Sequence, residues 1–268
     1  MEHNANIVAE SNRISNLQRR IARIVPVARA ERADRVSLGP AIDARIGGGL
    51  ARGRLHEVVA ADGADAAAAA GFAAMLARRI AIDGRHPLVW LRLADAHGAL
   101  YPPGLAEVGI DPARVLLVLA PDAEALLRAA GDVVRCSAVG TAVVELWRDP
   151  RRIDLTDGRR LMLAAEASGT TPVLLRIAVE PIPCAAQTRW AVCAAPSTPL
   201  AADAPGGPAL TLELLRQRGG PAGFAWRVEW DRDQTEFRAQ FRSAAPLPGA
   251  VAAVPDGGSL APRIHAVG

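Results

Sequence analysis

From Leu55 to Val179 the sequence alternates short apolar runs with helix-length segments, and this alternation restricts the chain to one class of fold. The runs are Leu55–Ala60, Pro87–Leu93, Val115–Leu119, Thr141–Leu146 and Thr171–Val179. Such short, continuous apolar runs are expected of strands in a helix-covered parallel sheet. Between them lie an alanine-rich helix ending at Ile80, a loop and short helix in ADAHGALYPPGLAEVGID, and helices over Pro121–Val133 and Arg159–Ala167. Parallel strands need crossovers, so the pattern predicts an α/β fold with a mostly parallel central sheet flanked by helices. After Glu180 the long helices stop: Thr188–Ala194, Leu210–Arg216 and Phe224–Trp230 follow, the last two joined by RGGPAG. These read as antiparallel strands that extend the sheet.

The first unit, Gly47–Ile80, is a glycine turn, a strand, a tight loop and a helix, the order that opens a phosphate-binding domain. A loop that cradles a nucleotide phosphate needs a lysine and a Ser/Thr hydroxyl for Mg²⁺. Here the loop is AADGADAA, with Asp62, Gly63 and Asp65 at its centre. All 31 basic residues of the chain are arginine, so no lysine can fill that role from anywhere in the sequence. Asp62 and Asp65 are expected to cap the next helix, where they repel a phosphate. The lack of lysine fits codon bias in a GC-rich genome.

With 268 residues, half of them hydrophobic, the chain can bury a sizeable core. Its net charge of +3 permits a nucleic-acid surface without demanding one. Cys136, Cys184 and Cys193 have no CxxC or metal-ligand spacing and read as reduced structural thiols. The five histidines are scattered, and His56 beside Glu57 reads as a hydrogen-bonded structural residue, so no metal site is expected. No GxSxG elbow is present. Trp226 and Trp230 share one strand face and read as core. With no signal peptide or apolar stretch of spanning length, the expected location is the cytoplasm.

Ile14, Leu17, Ile21 and Ile24 recur at helical spacing among Arg13, Arg19, Arg20 and Arg23, predicting an amphipathic helix with a basic face. Two readings stand for it: packing on its own domain, or docking a partner. A linker through Pro26, Gly39 and Pro40 follows, and from Arg242 to Gly268 a Pro/Gly/Ala-rich composition reads as a disordered tail. The organisation is therefore residues 1–34 as helix and linker, 35–241 as the folded domain and 242–268 as the tail.

The run DARIGGGLARGRLHEVVA (Asp43–Ala60) resembles the lead-in to the P-loop of RecA-type recombinases, matched at Gly48, Gly49, Leu50, Gly53, Arg54 and Glu57. LYPPGLAEVGIDPARVLLVLAPDAEALL, TAVVELW, RRLMLAAEASGTTPVLLR and ELLRQRGGPAGFAWRVEWD resemble a narrower group, the ImuA family of RecA/SulA-like inducible-mutagenesis proteins. Together these motifs cover roughly residues 35 to 232.

The resemblance implies a RecA-like, P-loop-type core whose P-loop, at Asp62, Gly63 and Asp65, is degenerate. It implies no cofactor and no catalysis, hence a pseudo-ATPase. The implied role is accessory, in SOS mutagenesis and translesion DNA synthesis after DNA damage. The implied partners are an ImuB-type protein similar to Y-family polymerases, an error-prone replicative-type DNA polymerase and RecA, with Ile14, Leu17, Ile21 and Ile24 as candidate contacts. Glu145 matches the RecA acidic position that holds Mg²⁺ through water; its other reading is a strand-end carboxylate facing solvent. Asp95 falls near the RecA catalytic acid, but its neighbours do not match. Arg148, Arg151 and Arg152 follow a strand where RecA carries a DNA loop; they read either as a DNA contact or as a solvated surface. Two other functions stand as alternatives: an active nucleotide hydrolase using Arg52 or Arg54 in place of lysine, and a SulA-like cell-division inhibitor.

Overall fold

The computed structural model describes residues 34–81, 86–95, 98–148, 154–179, 183–204 and 206–242. Ile14, Leu17, Ile21, Ile24, Arg151 and Arg152 lie outside them. The chain opens with β1 (Arg35–Val36), α1 (Pro40–Ile46) and β2 (Leu50–Ala51). The main sheet and its helices follow: β3 (His56–Ala60), α2 (Ala66–Ile80), β4 (Leu88–Leu93), α3 (Pro102–Glu107), β5 (Val115–Ala120), α4 (Ala123–Arg135), β6 (Thr141–Trp147), α5 (Leu155–Ser168) and β7 (Thr171–Ile177). Strands β8 (Thr188–Ala194), β9 (Ala209–Gln217), β10 (Phe224–Asp231) and β11 (Glu236–Arg242) complete it.

The strands form one nine-stranded sheet in the order β11-β10-β9-β8-β3-β7-β6-β4-β5. From β8 to β5 every neighbouring pair is parallel, and β9, β10 and β11 are added antiparallel. Helix α2 covers one face, where Val58, Val143, Val173 and Leu175 meet Phe72 and Leu76. Helices α4 and α5 cover the other, where Leu55, Leu91, Val144 and Leu174 meet Leu126, Ala130 and Leu161. The alanine run gives α2 its helix propensity, and its small side chains let the helix lie close on the strands. The antiparallel extension buries Trp190, Trp226, Trp230 and Phe237 beneath the same helix, with Phe72 5.9 Å from Trp190 and 5.4 Å from Phe237 between ring centroids. Trp226 and Trp230 are thus core, as their alternation predicts.

Three of the boundaries that differ from the sequence reading change how the domain is delimited or packed. Gly39 and Pro40 belong to no linker: Gly39 is the N-cap of α1 and Pro40 its first residue. A Cβ at Gly39 falls 2.3 Å from the carbonyl oxygen of Phe237, so β11 crosses the chain where only glycine leaves room. Arg242 is no tail residue, because it pairs with Ala225 at the end of β11. Helix α5 begins at Leu155 rather than Arg159, set by a capping box in which Asp154 accepts from the backbone of Thr156 and Asp157 while Asp157 returns a bond.

Candidate functional site

In a parallel α/β sheet, ligands bind beyond the carboxyl ends of the strands, where the loops gather. Here that edge carries the loop after β3, Asp95 after β4, Arg148 after β6 and Ala178 after β7. Backbone bonds hold these turns together: Ala178 N–H donates to Ala60 O at 2.9 Å and Arg148 N–H to Ile177 O at 3.1 Å. Arg148 and Ala178 both adopt positive φ, 52° and 55°. Asp95 and Arg148 are exposed.

The loop after β3 folds into a single 3-10 turn, Gly63–Asp65, leading straight into α2. Its amides are bonded within the turn itself. Ala64 N–H donates to Asp62 Oδ1 at 2.9 Å, Asp65 N–H to Asp62 O at 3.2 Å, and Ala66 N–H to Gly63 O. A phosphate-cradling loop leaves such donors converging on the ligand; here all three are engaged. Asp65 stands at the N-cap position of α2, as the sequence reading had it, but its side chain makes no capping bond. Its Oδ1 accepts from Ala194 N–H at 2.8 Å, tying the loop to the end of β8. Burial, followed by the Asp65 charge, pushes the Cys193 thiol up from its ordinary value.

Glu145 departs from one of its two sequence readings, the strand-end carboxylate: it does not face solvent. It is 5% exposed, on the α2 side of β6. Trp90 Nε1 donates to its Oε2 at 2.7 Å, Trp147 Nε1 donates to its Oε1 at 2.7 Å, and Arg92 Nη2 lies 3.5 Å from Oε1. Both carboxylate oxygens therefore have internal partners, the environment a buried charge requires.

Arg52 and Arg54 precede β3, while the loop follows it, so the length of the strand, about 3.3 Å per residue, separates them from the loop. Arg52 pairs with Asp34 at 3.4 Å, and Arg54 pairs with Glu166 of α5. The two arginines are held at the opposite edge of the sheet.

On the face away from Glu145 is a buried constellation that the sequence reading missed. Glu57 is fully buried; Arg176 Nε lies 2.7 Å from its Oε1, Arg189 pairs with its Oε2, and the Cys184 thiol donates to Oε2 at 2.8 Å. Burial pushes the Cys184 thiol up, keeping it protonated as a donor. Of the three free cysteines only Cys184 is buried; Cys136 and Cys193 are exposed. The signal lay in HEVVA, TPVLLRI and TRWAVCA, apolar strands that carry single charges of complementary sign. His56, beside Glu57, is the structural residue expected. Its Nε2 lies 2.8 Å from Ala51 O and its Nδ1 2.8 Å from Thr188 Oγ1, which itself receives the Trp190 indole N–H at 2.8 Å. Since the carbonyl only accepts, the network assigns the proton to Nε2 and lets the Thr188 hydroxyl donate to Nδ1.

Among the described residues no group of three or more His, Cys, Asp and Glu side chains is placed to hold a metal ion, and no helix is long and apolar enough to cross a membrane. No family model matches the chain. It is 36% identical over 199 residues to Protein ImuA of Caulobacter vibrioides strain NA1000 / CB15N, covering 69% of this chain and 78% of that protein. Protein ImuA of strain ATCC 19089 / CIP 103742 / CB 15 matches to the same extent. The fold is similar to the crystal structure of the RadB recombinase, with a TM-score of 0.51 and 17% identity over 74% of this chain and 96% of that one. The core is RecA-like, with a mostly parallel sheet, flanking helices and an antiparallel extension.

Proposed function

Since this chain belongs to the ImuA family, we propose that it is a non-catalytic, RecA-like accessory protein of DNA-damage-induced mutagenesis and translesion synthesis, acting through protein contacts. The observation that carries the reading is the loop after β3, whose amides at Ala64, Asp65 and Ala66 are hydrogen-bonded within the chain and whose side chains are acidic. Glu145 adds to it, since Trp90, Trp147 and Arg92 occupy the carboxylate that would hold a Mg²⁺-bound water. Stabilising a transferring phosphoryl group needs donors and cations aimed at it. The fold in this reading serves as a shaped surface. Its partners are an ImuB-type, polymerase-like protein, an error-prone replicative-type polymerase and RecA, with the Ile14, Leu17, Ile21 and Ile24 stripe as the docking element.

The test is capture of the tagged full chain, and of a variant lacking residues 1–26, from DNA-damaged cells, followed by identification of what is retained. The expected result is recovery of polymerase-like partners by the full chain and their loss with the deletion. Equal recovery by both chains would remove the N-terminal stripe from the account. Recovery of a cell-division polymer alone would replace it with the SulA-like reading.

A further inference from the structure

A groove of about 560 Å³ opens on the α5 side of the sheet, the face opposite Glu145, between that helix and the ends of β8 and β9. Leu155, Arg159 and Met162 face it from α5 at helical spacing; Arg189 is the second residue of β8; Arg216 and Arg218 stand at the end of β9. Four guanidinium groups thus line one groove, and among the described residues no carboxylate does.

The neighbouring acids have other roles. Glu166, further along α5, pairs with Arg54; Asp154 and Asp157 form the capping box; Glu57 lies beneath, bound by Arg176 and Arg189. The arginines are positioned by contacts that leave the groove cationic. Arg189 is 8% exposed and anchored on Glu57, Arg216 donates to the Cys184 carbonyl oxygen, and Arg218 Nη1 approaches Met162 Sδ at 3.3 Å.

We infer that this groove binds a phosphate ester, with Arg159, Arg216 and Arg218 on the phosphate oxygens and the ester substituent against Leu155 and Met162. Guanidinium forks match phosphate oxygens in pairs, and a phosphate offers several forks more acceptors than a carboxylate can. The volume lies in the range of small-molecule sites and exceeds what a bare anion fills. No aromatic ring lines the groove among the described residues, so it recognises the phosphate and not a stacked base. The phosphate can belong to a free nucleotide or to a nucleic-acid strand, and the probes below distinguish the two. The inference rests on the groove alone and is independent of the role proposed for the loop after β3.

The experiment titrates the full chain by calorimetry, at low and moderate salt, with inorganic phosphate, adenosine monophosphate and a short single-stranded oligonucleotide. The same titrations are run on Arg159→Glu with Arg218→Glu, two exposed positions, and on Arg232→Glu, which faces Glu107 elsewhere. Circular dichroism confirms that all three chains are folded. Saturable binding of a phosphate probe is expected, weakened at least about tenfold by the double reversal and changed less than about twofold by Arg232→Glu. Comparable affinity for the monophosphate and the oligonucleotide assigns the groove to small esters; an oligonucleotide bound about tenfold more tightly assigns it to a strand. Failure of all three probes to bind, or binding that the double reversal leaves unchanged, overturns the inference. So does tighter binding of a glutamate-rich peptide, titrated alongside as a carboxylate control, than of any phosphate probe.

Discussion

His56 is wholly buried in β3, and burial lowers its pKa from 6.5 to about 4, against a smaller opposing effect of the Ala51 carbonyl. The unfolded chain therefore takes up a proton near pH 6.5 while the folded chain stays neutral until about pH 4. Between those values the unfolded state binds more protons, so stability is fully present above pH 6.5 and falls as pH drops through the window. The loss attributable to His56 reaches about 3 kcal/mol at the acid end, at about 1.4 kcal/mol per pH unit. Urea unfolding from pH 7.5 to 4.5 should show that decline, and His56→Gln should flatten it while lowering stability at neutral pH. An unchanged slope in the variant would assign the acid sensitivity to other groups.

At the scale of single elements, legibility followed local chemistry. The strands and the alanine-rich helix could be read because periodicity and apolar runs report burial directly. The start of α5 could also have been read, since Asp154 followed three residues later by Asp157 is a capping signal, but RDPRRIDLTDG suggested a charged loop. Strand β11 gave no such signal: EFRAQFR acquires its meaning only from β10 beside it and from Leu38, whose carbonyl takes the Phe237 N–H at 3.2 Å. Strand β5 holds a property the sequence hides. Although VLLVLA is as apolar as the central strands, it is the sheet edge, and Leu116, Leu117 and Leu119 are 56%, 46% and 56% exposed. Edge strands are ordinarily protected by charge, proline or a bulge. Leu117→Lys with Leu119→Lys should therefore reduce concentration-dependent association in sedimentation, with a stability change within about 1 kcal/mol for such exposed positions. Unaltered association, or a much larger loss of stability, would contradict an open edge.

Over the whole molecule, order of elements and tertiary pairing carried different information. The order pointed to a RecA-like sheet and, with the motifs, to the ImuA family. The candidate site was legible as a position, the loop around Asp62, Gly63 and Asp65, and as a missing lysine. It was not legible as geometry. That the Asp65 carboxylate meets the Ala194 amide, or that Trp90 and Arg92 seal Glu145, depends on which strands end up adjacent. In the function proposed above, this arrangement keeps the RecA-like shape without a nucleotide site at the loop after β3. Equilibrium binding of labelled ATP to the full chain, with Mg²⁺ and again with a chelator, tests it most directly. The expected result is no component that strengthens with Mg²⁺, any residual affinity being no greater with Mg²⁺ than with the chelator and removed by Arg159→Glu with Arg218→Glu. Mg²⁺-dependent binding in the micromolar range that survives those substitutions would contradict it.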